Sequence, residues 1–337
     1  MTNFKQIKKG TISTPEGFNA DGIFCGLKSA GEGKLDLGVI LSDNDCNWAA
    51  TYTKNKIKSS SIDYCKEIKG KIRGVIVNSG SANCCVGSQG LTDARKIAML
   101  AKEKYKSKTP FLVSSTGVIG VEIPVGLIKK EIDNFNPSEA GGEKFSRAII
   151  TTDSKTKNIC IEVKTSKGMF KIGGVAKGSG MVHPKMGTML GYITTDALVD
   201  SKTLTDTLRK SVDISFNQID IDGDTSTNDT VIIMANGMSG QEIKNETDKK
   251  IFSEAIDYVS KFLARLIAED GEGISHLITT EVAGAINDDD ALKISNAVIS
   301  SSLVKTAVFG KDPNWGRIMM AIGNADAEMN RDKIKIY

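Results

Sequence analysis

The chain has 337 residues, enough for one large domain or two ordinary ones, and two subdomains are expected. A hydrophobic content of 40% beside 25% charged residues excludes an intrinsically disordered chain. The net charge is only +3 and no dense basic stripe interleaved with aromatics occurs, which argues against nucleic acid as a partner.

The first ten residues, MTNFKQIKKG, lack the apolar segment of a signal peptide, and no uninterrupted apolar run is long enough to span a bilayer. A cytoplasmic protein without membrane attachment is expected. Six cysteines (Cys25, Cys46, Cys65, Cys84, Cys85 and Cys160) form no C-x-x-C pair and read as buried thiols. The two histidines, His183 and His276, lie in no metal-ligand pattern, so no metal site is predicted and both read as structural or surface groups. A covalent nucleophile, if there is one, must find its base elsewhere.

Apolar stretches bounded by Gly and Asn alternate with helical patterns, so the chain reads as a mixed α/β fold of layered sheet and helices. Ile72 to Val77 reads as a strand ending in a turn at Asn78-Ser79-Gly80-Ser81. Thr92 is the predicted N-cap of a helix whose apolar face carries Ala94, Ile97, Ala98 and Ala101. Phe111 to Val113 is a short strand running into Ser114-Ser115-Thr116-Gly117. The alternation of Ile159, Ile161 and Val163, the turn at Ser166-Lys167-Gly168 and the run Met169 to Val175 predict a hairpin. Beyond the glycine-rich stretch from Lys177 to Gly191, helices are predicted through Leu204, Leu208, Val212 and Phe216, and from Lys249 to Ala268. Strands are predicted at Val231 to Ile233 and Leu277 to Val282, and a last helix after the acidic triplet Asp288 to Asp290. The domain boundary is placed in or near the glycine-rich stretch.

Three motifs admit plainer readings. Asp220-Ile221-Asp222-Gly223-Asp224 starts like a calcium loop, but Thr225 stands at position 6 and Val231 at position 12. It reads instead as a polar turn before the strand at Val231. Gly178-Ser179-Gly180 matches neither dinucleotide nor P-loop spacing and implies only a tight or flexible backbone. The patch Ser114 to Gly117, following a strand, is of a kind whose backbone N–H groups can converge on an oxyanion.

The run from Lys177 to Gly191, KGSGMVHPKMGTMLG, resembles the self-cleavage segment of ornithine acetyltransferases, also called glutamate N-acetyltransferases. Four more segments agree with that family in order: Asn78 to Asn83, Ser215 to Thr230, Asp270 to Gly273 and Gly310 to Arg317. The resemblance extends from the N-terminus to about Ala325.

It implies a two-subdomain α/β fold of the ornithine acetyltransferase type, cut between Gly187 and Thr188 into an N-terminal region 1–187 and a C-terminal region 188–337. Thr188 then becomes the nucleophile and supplies its own α-amine as base. By the same resemblance Thr116 and Gly117 form the oxyanion hole, and Thr151, Lys177, Thr188 and Glu272 contact substrate. Charge suggests Lys177 for a carboxylate and Glu272 for an amine. The implied substrates are N2-acetylornithine and glutamate, with no cofactor; acetyl-CoA as a second donor stays open. A heterotetramer of two copies of each fragment is expected. Two departures are visible: Gly187 stands where the family usually has Ala, and the chain stops at Tyr337, without the family's C-terminal Asn and Ser or Thr contacts. Two rival readings remain, an N-terminal-nucleophile amidase or peptidase and an inactive relative.

Overall fold

Runs of Val, Ile and Leu between turns become the strands of the computed structural model, which describes residues 3–28, 33–183 and 189–337. Among the described residues the strands are β1 (Phe4–Gln6), β2 (Phe18–Ile23), β3 (Leu37–Tyr52), β4 (Ile72–Ser81), β5 (Phe111–Val118), β6 (Lys157–Lys164), β7 (Met169–Lys177), β8 (Leu190–Thr195) and β9 (Thr230–Ala235). The helices are α1 (Ser60–Glu67), α2 (Gln89–Lys104), α3 (Val125–Glu131), α4 (Gly142–Ile149), α5 (Ser201–Asp213), α6 (Glu246–Ala268), α7 (Asp288–Ile299), α8 (Ser302–Phe309) and α9 (Trp315–Gly323). The mixed α/β expectation therefore holds.

The strands join in the order β1-β6-β7-β8-β9-β3-β4-β5, with β2 paired to β3. The 16-residue β3 makes this continuity possible. Its first part pairs with β2 and β4; past a register break between Leu41 and Cys46, where Cys46 still faces Ile72 of β4, it pairs with β9 from Asn47 onward. Two hydrophobic cores result. One gathers β2 to β5 with α2 and α4, around Phe18, Ile76, Phe111 and Phe145. The other gathers β6 to β9 with α5 and α6, around Ile161, Ile193, Phe252 and Leu263. Both parallel pairs, β4 with β5 and β8 with β9, lie inside these cores, and every residue of β9 is buried, as suits a continuous apolar run. A smaller apolar cluster joins α7, α8 and α9.

The predicted hairpin forms as β6 and β7, and the helices at Leu204 and Lys249 form as α5 and α6. Asn287, just before the acidic triplet, caps α7 by accepting the N–H of Asp290 at 2.8 Å. Other expectations need correction. Residues 277–282 form no strand: none of them is buried and they pair with no neighbouring strand, and an apolar run alone does not make a ladder. Helix α2 starts at Gln89 with Ser88 in the cap position, so Thr92 lies inside it, where its hydroxyl donates to the Ser88 carbonyl. Phe216 falls in a 3-10 turn after α5. Asn78 to Ser81 and Ser114 to Val118 continue β4 and β5, because the two segments pair with each other. Of the six thiols Cys85 is exposed, at φ 60°.

One buried ion pair ties the two ends of the second core together. Lys157, the first residue of β6, is fully buried, and its Nζ lies 2.6 Å from Asp153 Oδ1 and 2.6 Å from Asp270 Oδ2. Asp270 follows α6 and also accepts from Ser154, through both its N–H (3.1 Å) and its hydroxyl. Burial raises both carboxyls, but Lys177 and Lys157 at Asp153, and Lys157 and Ser154 at Asp270, outweigh it and hold both below the usual range.

Removing the cation leaves two carboxylates facing each other. Lys157→Met is expected to destabilise the fold by about 3–5 kcal/mol, read by denaturant melts at neutral pH. The sign with pH follows from the depressed folded-state values: the ion pair's contribution is fully present above the unfolded carboxyl value of about 3.9 and is lost as pH falls through the lower folded values. The melt difference between Lys157→Met and the parent chain is expected to shrink below about pH 4.

Candidate active site

At their ends the parallel strands β4 and β5 meet through glycines. Gly117 sits at φ 131° and Gly80 at φ 126°, both in the region that favours glycine. A Cβ on Gly117 would lie 2.3 Å from the Gly80 carbonyl carbon, so no side chain fits there. Behind them is a buried polar network: Ser115 Oγ donates to Asn78 Oδ1 at 2.6 Å and lies 2.8 Å from Ser61 Oγ, which accepts from Asn83 Nδ2 at 3.0 Å. Ser115 of the Ser114 to Gly117 patch is thus structural, while Thr116 and Gly117 form the patch's edge on a cleft.

Across this cleft β7 ends at Lys177, whose side chain is 1% exposed. Lys177 Nζ donates to Thr151 Oγ1 at 3.2 Å. Burial pulls the ammonium of Lys177 below its ordinary range, against the opposing charge of Asp153. Asp153 fixes the surroundings, accepting the N–H of Gly178 at 2.6 Å and the N–H of Thr151 at 3.2 Å. Glu272 lies in the turn beyond α6 and its N–H donates to the Ser179 carbonyl at 2.7 Å. A Cβ on Gly180 would lie 2.6 Å from Glu272 Oε1, so the Glu272 carboxylate could not keep its present place beside a larger residue. The glycines of Gly178-Ser179-Gly180 thus serve close approach: one lets the backbone turn onto Asp153, the other admits the Glu272 carboxylate.

The cleft has a volume of about 970 Å³, and Thr116, Gly117, Thr151, Lys177 and Glu272 all line it. These five residues were singled out in the sequence and come from β5, the loop before β6, β7 and the turn after α6. Thr188 and Gly187 lie outside the described residues. On one side of them, Asp222 accepts the N–H groups of Met181 and Val182 at 2.5 and 3.0 Å, and Asp220 Oδ1 lies 2.6 Å from His183 Nδ1. Asp220 is bound as well by Lys305 of α8. The acidic run that reads as a polar turn before the strand therefore anchors the chain leading to Pro184. On the other side, Asp229 accepts the N–H of Met189 at 2.9 Å. His276 is exposed beside Ser275.

Sequence reasoning missed Asp153, Asn228 and Asp229. Asn228 Nδ2 donates to the carbonyls of Ala82 (2.6 Å) and Ser115 (2.7 Å), so it holds the β4 and β5 ends together from the opposite side. The density of small polar residues from Thr225 to Thr230 was the available signal for the last two. Among the described residues no cluster of three or more His, Cys, Asp or Glu side chains is gathered for a metal ion, and no helix is long and apolar enough to cross a membrane.

Residues 19–337 match the ArgJ family. The chain is 43% identical over 344 positions to an arginine biosynthesis bifunctional protein ArgJ of Bacillus cereus, covering 100% of this chain and 84% of the relative. The protein of the same name from Caldanaerobacter subterraneus is 41% identical, covering 98% of this chain and 83% of that one. A crystal structure of the arginine biosynthesis bifunctional protein ArgJ from Bacillus halodurans superposes with a TM-score of 0.51 at 35% identity, over 56% of this chain and 98% of that one. With a match over nearly its whole length and a relative this similar, the chain belongs to the ArgJ family.

Proposed function

We propose that the protein is a glutamate N-acetyltransferase of arginine biosynthesis, which moves acetyl from N2-acetylornithine to glutamate through Thr188 after cutting itself before that residue. The observation that carries this reading is the convergence of Thr116, Gly117, Thr151, Lys177 and Glu272 on one cleft, which Gly180 and Met181, a few residues before Thr188 in the sequence, also line. Kinship with arginine biosynthesis bifunctional proteins supports the substrate assignment.

In the first reaction Thr188 Oγ attacks the carbonyl carbon of Gly187. The Gly187–Thr188 C–N bond breaks, the hydroxyl proton passes to the departing nitrogen, and the acyl group rests on oxygen as an ester. Water hydrolyses that ester and leaves Thr188 with a free α-amine. In the transfer cycle this amine takes the Oγ proton as the oxygen attacks the acetyl carbonyl of acetylornithine. Ornithine departs, and the amine of glutamate then attacks the acetyl ester to give N-acetylglutamate and free enzyme.

Each tetrahedral stage carries an oxyanion, for which Thr116 and Gly117, both on the cleft, are the proposed stabilising pair. Lys177, cationic when protonated, suits a substrate carboxylate, and the Glu272 carboxylate suits the side-chain amine of acetylornithine. The regions 1–187 and 188–337 are expected to remain joined, since β7 and β8 are paired neighbours and the Lys157–Asp270 bond crosses between the regions. A tetramer of two copies of each fragment, and acetyl-CoA as a second donor, belong to the same proposal.

Intact mass spectrometry of the purified protein is expected to give two fragments, the second beginning at Thr188, and one uncut chain for Thr188→Ala. A continuous wild-type chain that still transfers acetyl would sink the mechanism. Transfer from acetylornithine is expected to need glutamate; hydrolysis indifferent to glutamate would favour an amidase. Glu272→Gln keeps the shape but loses the charge, so kcat/KM for acetylornithine is expected to fall roughly 10–100-fold, with cleavage retained.

A further inference from the structure

Asp229 is a buried acid to which the chemistry above gives no task. It stands immediately before β9 and is fully buried. Its Oδ1 accepts the N–H of Met189 at 2.9 Å, while the Met189 carbonyl accepts the N–H of Thr230 at 3.2 Å. Two consecutive residues therefore grip Met189 at both its backbone polar groups, and the residue directly before Met189 is Thr188. Among the described residues Asp229 Oδ2 has no hydrogen-bond partner. A carboxylate anion in that setting would be poorly solvated, with one N–H to serve two oxygens. Burial pushes the Asp229 carboxyl well above the usual range, with the Met189 N–H, the Thr53 hydroxyl and the charge of Lys177 opposing.

We propose that the Asp229 carboxyl is a positioning group for residue 188, holding it through the peptide N–H of Met189, and that it works as an uncharged hydrogen-bonding acid and not as a counter-ion. The proposal rests on the reading of Thr188 as nucleophile. Its chemical sense lies in the α-amine. A carboxylate nearby would keep that amine as an ammonium ion, which cannot take the hydroxyl proton. An uncharged acid fixes the backbone and leaves the amine basic.

Asparagine is the isostere of the protonated acid: a carbonyl oxygen for Met189, and an N–H in place of the O–H. The first test uses the full-length Thr188→Ala chain, which needs no chemistry. In that background Asp229→Ala is expected to speed hydrogen exchange at the Met189 amide roughly tenfold or more, and Asp229→Asn to leave it protected. A folded carboxyl that keeps its proton loses stability as pH rises above the unfolded value of about 3.9. Asp229→Asn should therefore gain on its parent by up to about tenfold in folding equilibrium constant per pH unit above that point. A flat difference would overturn the uncharged state.

The second test uses the cleavable chain. Asp229→Ala is expected to slow release of the Thr188 fragment about a hundredfold, and Asp229→Asn to keep at least about a tenth of the parental rate. Parental amide protection together with parental cleavage in Asp229→Ala would overturn the clamp, and an Asn variant as slow as Ala would overturn the acid. Should the parent chain stay uncut while the Met189 amide responds to Asp229, the nucleophile reading fails and the clamp stands.

Discussion

The arrangement of the site depends on one cation enclosed by two carboxylates. Lys157 is out of water, and its two partners come from the loop before β6 and the turn after α6. Each partner carries a second duty: Asp153 binds the backbone at Thr151 and Gly178, and Asp270 stands two residues before Glu272. The Thr151 and Lys177 side of the cleft and the Glu272 side are thus referred to the same ammonium group. Such a buried triad adds little net stability over a well-packed apolar one, because desolvation offsets the attraction, but its hydrogen-bond geometry admits few alternatives. Its effect here is to fix where the charged groups of the cleft stand relative to one another.

A second constraint comes from β3, which runs through both cores. By changing partners at its register break it brings the β4 and β5 ends, with Thr116 and Gly117, into the same body as the β7, β8 and β9 ends, with Lys177 and Asp229. Asn228 then closes the contact by bonding to carbonyls of Ala82 and Ser115. The cleft is therefore bounded by two sheet regions, and small residues at Gly80, Gly117 and Gly180 let backbone and carboxylate approach each other there.

Local pattern made several elements legible. The alternation at Ile159, Ile161 and Val163 and the helical spacing of Leu204, Leu208 and Val212 lie within single elements, where periodicity and structure coincide. Leu277 to Val282 misled because an apolar run becomes a strand only if another strand is there to pair with it, a fact that lies elsewhere in the chain. The same reason extended β4 and β5 through their small-residue ends, which read as turns in isolation but pair with each other. Within the site, Thr116, Gly117, Thr151, Lys177 and Glu272 were found through resemblance to a family, whereas Asp153, Asn228 and Asp229 act on backbone groups distant in sequence. No local pattern marks an acceptor for an amide 40 residues away, as Asp229 is for Met189.

The pairing of β7 with β8 has a consequence for the life of the molecule. The two strands lie side by side and join residues 172–177 to 190–195 through backbone hydrogen bonds. Before a break at position 188, they belong to one polypeptide and find each other by closing a short loop, a first-order event independent of dilution. After it, the same ladder would have to be rebuilt by two separate molecules meeting in solution. Maturation by such a cut would thus make assembly historical: the folded product would persist through contacts made earlier, and once taken apart it would return only as concentration permits.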